Sequence, residues 1–183
     1  HKALNEHYYQ QYQQGQLNID EYLSFALGPM AGMTPETLSA LQDKFLKKHV
    51  EPILLDAAFD LLQAHRVNGD TLIIITATNT LVTQPIADRL GVEHLIGCEA
   101  ELKDGRYTGK PEGVPSFGEG KVQRIKTWCA EHQILFEDAV FYSDSHNDVP
   151  LLREVARAIA VDPDDLLRVE AQQCGWEIIS LRP

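Results

Sequence analysis

The sequence predicts an α/β fold, a parallel β-sheet with helices on both faces, and three observations carry that prediction. The run Thr71-Leu72-Ile73-Ile74-Ile75-Thr76 is continuous, apolar and β-branched, as expected of a strand covered on both faces. A second run, Ala139 to Ser143, leads into the acidic stretch Asp144-Ser145-His146-Asn147-Asp148. Beyond residue 71 strand-like and helix-like segments alternate, which is the pattern of parallel strands joined by helical crossovers.

Taken in order, residues 1 to about 50 read as entirely helical. Leu17, Tyr22, Phe25 and Ala26 form one amphipathic piece, with Asn18 or Asp20 as its cap. Gly28-Pro29 breaks it, and Thr34-Pro35-Glu36 opens another helix with cap, first-turn proline and first-turn acid. Pro52 is expected to start a further helix that stops at Asn68-Gly69. After the strand at 71–76, Ala77-Thr78-Asn79 turns into a helix carrying Leu81, Val82, Ile86 and Leu90, which Pro85 should kink or delay and Gly91 should close. Asp104-Gly105 between short strands at 95–102 and 106–108 signals a β-hairpin. A loop rich in Gly and Pro leads to a helix from Lys121 to His132. The strand ending at Asp144, a helix through Leu151-Leu152, a strand at 158–161, a helix at 164–173 and a last strand at 176–181 complete the chain.

With 183 residues the chain has room for one domain with a real core and a small inserted lobe. A formal charge of −11 argues against nonspecific nucleic-acid binding and against attraction to anionic membranes. The same field repels an anionic substrate, so a phosphate site would need a local metal ion or a lysine. Three widely spaced cysteines indicate reduced thiols in a cytoplasmic protein, and none of the seven histidines pairs at zinc spacing. The longest apolar run is far too short to cross a bilayer.

The acidic stretch supports two readings on its own. Asp144 and Asp148, just past the carboxyl end of a strand, suit Mg²⁺, which takes oxygen ligands and usually only one or two carboxylates. Equally, Asp, Ser and Asn are ordinary turn residues, with Ser145 or Asn147 capping the next helix. Thr76 at a strand end, followed by the backbone N–H groups of Ala77 and Thr78, offers neutral donors for phosphate oxygens, although threonine also merely ends strands. Lys121 opens a helix where the macrodipole opposes a cation by about 0.3–1 kcal/mol. A lone lysine there more often sends its flexible stem to solvent. The joint occurrence shifts the balance.

The order Thr76, Lys121, then Asp144 with Asp148 resembles the haloacid dehalogenase-like (HAD) hydrolases, and among them the phosphoserine-phosphatase-like subfamily. The segments TLIIITATNTLVTQPIA, DGRYTGKPEGVPSFGEGK and FYSDSHNDVPLL carry the resemblance, which covers essentially the whole chain. It implies a three-layer Rossmann-like parallel sheet with an inserted all-helical cap and a small β-hairpin. Residues 1–50 would be the cap, incomplete at its N-terminus, and 51–183 the core lacking its first strand. It further implies that Thr76 holds the phosphoryl oxygens, that Lys121 offsets charge, that Asp144 and Asp148 bind Mg²⁺, and that Asn147 lies beside the substrate phosphate with Ala77 and Thr78. Ser143 stands where many relatives have glycine.

The family's first motif, an Asp-x-Asp pair after the first strand, has no counterpart before Thr76, and Asp162-Pro163-Asp164 lies too late in the chain to serve. The expectation is therefore that the nucleophilic aspartate lies upstream of His1. The activity implied is Mg²⁺-dependent hydrolysis of a small phosphorylated metabolite, with phosphoserine, histidinol phosphate and similar monoesters as the substrates the resemblance suggests. Two other classes stand beside it. One is a non-catalytic phosphate- or metal-binding paralogue or receiver-like module, although receiver domains have no helical cap. The other is a different superfamily reaction, phosphoryl transfer or C–halogen cleavage. Oligomeric state leaves no signal in the sequence.

Overall fold

The structure, a computed structural model, describes residues 2–183. Helices α1 (Lys2–Gln13), α2 (Ile19–Leu27) and α3 (Pro35–Phe45) come first, and α3 runs on through a π turn over Leu46–Val50. Asn18 caps α2 by accepting the Glu21 N–H, and Thr34 caps α3 by accepting the Thr37 N–H. Pro52 does not open the next helix. It sits in a 3₁₀ turn, and α4 spans Asp56–Asn68, ending at Gly69 in the left-handed conformation.

Among the described residues six strands follow in two three-stranded sheets. In the first, β1 (Ile73–Asn79) pairs parallel with β2 (His94–Lys103), which forms the hairpin with β3 (Arg106–Glu112). In the second, β4 (Val140–Ser143), β5 (Arg157–Val161) and β6 (Glu177–Ile179) are all parallel. Among the described residues no ladder joins β1 to β4, so each has one edge without a strand partner. Ile73, Ile74 and Ile75 are accordingly only half-buried, short of the complete cover that the apolar run suggests. Strand β5, central in its sheet, is the better buried, with Ala158, Ile159 and Ala160 all inside.

Helices α5 (Thr80–Leu90), α6 (Glu119–Glu131), α7 (Val149–Leu152) and α8 (Asp165–Cys174) connect the strands. Pro85 lies inside α5 without breaking it. Proline cannot donate to the carbonyl four residues back, that of Leu81, and the Gln42 side chain donates to this oxygen instead at 2.6 Å. One core cluster sets Val122, Ile125 and Cys129 of α6 and Leu151 of α7 against β1, β2 and β4. A second joins Leu152, Leu167 and Ala171 to Ala158 and Ala160. These two cores bring the ends of β1 and β4 to the same cavity.

The helical N-terminal segment docks on the hairpin. Gly32 donates its N–H to the Tyr107 carbonyl at 2.8 Å, and the Tyr107 N–H returns to Met33 at 2.9 Å. Gly109 sits at φ +80°, which suits glycine, and a Cβ there would lie 3.0 Å from the Ala31 methyl and 3.3 Å from Gly28 Cα, so its neighbours would have to give way. The described residues contain no helix long and apolar enough to cross a membrane.

Candidate active site

Thr76, Lys121, Asp144 and Asp148 line one cavity of about 420 Å³. Three separate segments supply them, each placed by a local device.

The first is a bulge. Strand β1 keeps register with β2 as far as Ile75 opposite Ile96, then resumes with Asn79 opposite Cys98. Four steps on one strand match two on the other, so Thr76, Ala77 and Thr78 leave the ladder and turn to the cavity. Gly97 faces this bulge, where a Cβ would lie 3.0 Å from the Thr78 carbonyl oxygen and 2.8 Å from the Thr80 methyl. The Thr78 N–H is not free as the sequence reading supposed, because it donates to Thr76 Oγ1 at 3.1 Å. Thr76 keeps its hydroxyl proton to donate elsewhere. Asn79 then caps α5 by accepting the Val82 N–H.

Lys121 is the third residue of α6 rather than its first, and only 4% of it is exposed. Its stem therefore does not reach solvent. Nζ donates to Asp148 Oδ1 at 2.5 Å, which is the compensation that a buried ammonium in the first turn of a helix requires. Gly120 precedes it, and any side chain at that position would overlap the Pro115 carbonyl oxygen.

The third segment is the loop after β4. Ser143, the departure from glycine, donates its hydroxyl to Asp148 Oδ2 at 2.7 Å and accepts the Ser145 N–H at 3.1 Å. Both oxygens of Asp148 are thus engaged. Asp144 opens to the cavity, yet the protein packed around it raises its pKa, and the negative charges of Asp148 and Asp164 push the same way. A cation is what would relieve this crowding. Among the described residues no cluster of three His, Cys, Asp or Glu side chains is arranged for a metal. The donors here are instead two carboxylates and neutral oxygens, a set that fits Mg²⁺ and not zinc.

Of the two caps the sequence offered, Ser145 is the one, accepting the Asn147 N–H at 3.2 Å. What sequence reasoning missed is the tie to α1, where Ser145 meets the Tyr12 hydroxyl at 2.6 Å. The Asn147 side chain donates to the Tyr12 carbonyl at 3.4 Å, tying the loop to α1. Burial raises the Tyr12 pKa, and its hydrogen bonds to Ser145 and Asn147 only partly offset this. His146 donates its N–H to Asp164 Oδ2 at 2.8 Å, with its ring Nδ1 2.9 Å from the same oxygen. Burial works against the Asp164 carboxylate, but hydrogen bonds from Leu167 and His146 outweigh it and leave the pKa lowered. Asp164 of the rejected Asp-x-Asp pair is therefore the cap of α8 and an anchor of the loop.

The arrangement offers a hydroxyl, an ammonium and a carboxylate pair around one space. Such groups are of the kinds that bind phosphoryl oxygens and hard divalent cations.

Comparison with known proteins agrees. The family model of haloacid dehalogenase-like hydrolases matches residues 2–153. The chain is 37% identical over 185 residues to a histidinol-phosphatase of Neisseria meningitidis serogroup C (strain 8013), covering 99% of this chain and 83% of the relative. A crystal structure of a protein with unknown function from Bordetella pertussis Tohama I superposes with a TM-score of 0.91 at 41% identity, covering 99% of this chain and 82% of that one. A substrate-bound phosphoserine phosphatase shares the fold, with a TM-score of 0.68 at 17% identity over 97% of this chain and 79% of that one. Against several mycobacterial relatives the chain spans about half their length, 51 to 52%.

Proposed function

The chain belongs to the haloacid dehalogenase-like hydrolases, and from that premise we propose that it forms the phosphate- and metal-binding part of a Mg²⁺-dependent phosphomonoesterase acting on a small phosphorylated metabolite. The observation that carries this reading is the single cavity shared by Thr76, Lys121, Asp144 and Asp148. The relatives' names support phosphatase chemistry.

In the proposed reaction an aspartate from outside this sequence attacks phosphorus. An O–P bond forms to its carboxylate as the bond from phosphorus to the leaving alcohol breaks, and water then cleaves the aspartyl-phosphate. Thr76 donates its hydroxyl to one phosphoryl oxygen, with the backbone of Ala77 and Thr78 beside it. Lys121 holds positive charge against the phosphoryl oxygens and the nucleophile together, and orients Asp148. Asn147 sits next to the phosphate. Asp144 and Asp148 would hold Mg²⁺, which when bound adds charge stabilisation at the phosphoryl group. Helices α1 to α3 act as the cap that excludes water. Strands β1 and β4 both line the cavity and each has an edge without a strand partner, which supports a further strand bearing the nucleophile there.

The test is phosphate release by the full-length protein. Asp144→Asn, or removal of Mg²⁺ by a chelator, is expected to lower turnover by at least about 100-fold. Undiminished turnover in either case rejects the scheme.

A further inference from the structure

We propose that the wall of the cavity formed by α1 and the start of α2 is a leaving-group subsite selective for a phosphomonoester whose alcohol carries a flat ring and no carboxylate. This rests on the phosphatase reading and adds to it the chemistry of the substrate.

Asn5, Tyr8, Tyr9 and Tyr12 recur at intervals of three, four and seven along α1, so they share one face of the helix, and all four line the cavity. A stripe at this spacing is ordinarily core. Here it is not packed as core, because Tyr9 is 55% exposed and Tyr8 only half-buried. The rings are nevertheless fixed. Tyr8 meets Tyr22 edge-on with ring centres 5.7 Å apart and lies 5.2 Å from Phe25. Tyr12 is held by its hydroxyl on Ser145 and by Phe117, 6.5 Å away. The wall is thus an aromatic surface arranged before any ligand arrives, which is what stacking on a planar group needs.

Charge excludes the alternative. Among the described residues lining the cavity the charged ones are Lys121, Asp144 and Asp148, and Lys121 is already paired with Asp148. The wall itself, from Asn5 to Tyr22, offers no cationic side chain, so a carboxylate on the leaving group would be desolvated there with no partner of its own, which costs affinity. An amine on the ring-bearing alcohol meets the opposite situation, since tyrosine faces attract it. The volume, about 420 Å³, lies in the range of sites for ligands of this size.

The experiment compares kcat/KM of the full-length protein, with Mg²⁺, on four monoesters. These are 2-phenylethyl phosphate, 2-amino-3-phenylpropyl phosphate, O-phosphoserine and glycerol 2-phosphate, the last with neither ring nor carboxylate. The ring-bearing pair is expected to exceed phosphoserine by about tenfold or more. In Tyr8→Leu the ratio of ring-bearing to ring-free turnover should fall by about tenfold, and Tyr8→Phe, which keeps the ring, should restore it. Release of phosphate from several substrates with no ring preference, or a Tyr8→Leu ratio equal to that of the unmodified protein, overturns the subsite while leaving the phosphatase reading intact. No release from any of the four overturns both.

Discussion

The polar floor of the cavity gathers its side chains from segments far apart in the chain, around Thr76, Lys121 and Asp144 to Asp148, whereas the aromatic wall comes from one helix and the start of the next. The floor is also the more constrained. Lys121, Asp148, Ser143 and Ser145 form one connected set of bonds, so removing any member leaves another buried polar group without its partner. The wall is held mainly by ring contacts, which decline gradually when a side chain changes, with Tyr12 alone tied to the floor through Ser145. The difference teaches that floor residues couple chemistry to stability, while wall residues are free to tune selectivity.

The largest effect that would test this contrast is at Lys121. Lys121→Met removes the one cationic side chain among the described residues lining the cavity and leaves Asp148 facing Asp144. Turnover should fall by about 100-fold or more, and urea denaturation should show a loss of about 3 kcal/mol. Unchanged stability would mean that the floor is no more coupled than the wall.

A smaller effect is expected at the anchor behind the floor. Asp164→Ala removes the cap of α8 and the acceptor of His146, for a loss of about 1–2 kcal/mol. Because the Asp164 pKa is lowered in the folded protein, its contribution is complete above the unfolded value of about 4 and disappears as pH falls through the folded one. Denaturation curves of the two proteins should therefore converge in acid. A difference that persists at the lowest pH would assign the effect to packing.

The smallest effect lies on the same helix as Lys121. Lys126 pairs with Glu154 at 2.9 Å, but both side chains are nearly half exposed. Lys126→Met should change stability by less than about 0.5 kcal/mol and leave turnover unaltered. Of two lysines in one helix only the buried one should register.

The sequence disclosed the parts of the site that local pattern encodes. Thr76 and Asp144 follow apolar β-branched runs, and a strand in such a fold opens its carboxyl end on the ligand crevice. The alternation of strands and helices gave the fold class in the same way. What escaped depends on contacts distant in sequence. The Tyr12 to Ser145 bond joins residues 133 positions apart, and no periodicity announces it. Ser143 was visible only as a departure from glycine, because its two bonds exist only once the loop is folded. That α5 starts at Thr80 without delay by Pro85 was not legible either, since the Gln42 side chain that serves the Leu81 carbonyl belongs to another helix.

The inner edges of β1 and β4 have one more consequence. Main-chain amides and carbonyls that find no ladder partner still need a hydrogen-bonding partner, so each of these edges can template one more strand. Recognition there would run through the backbone, and its strength would depend little on the side chains of whichever strand adds.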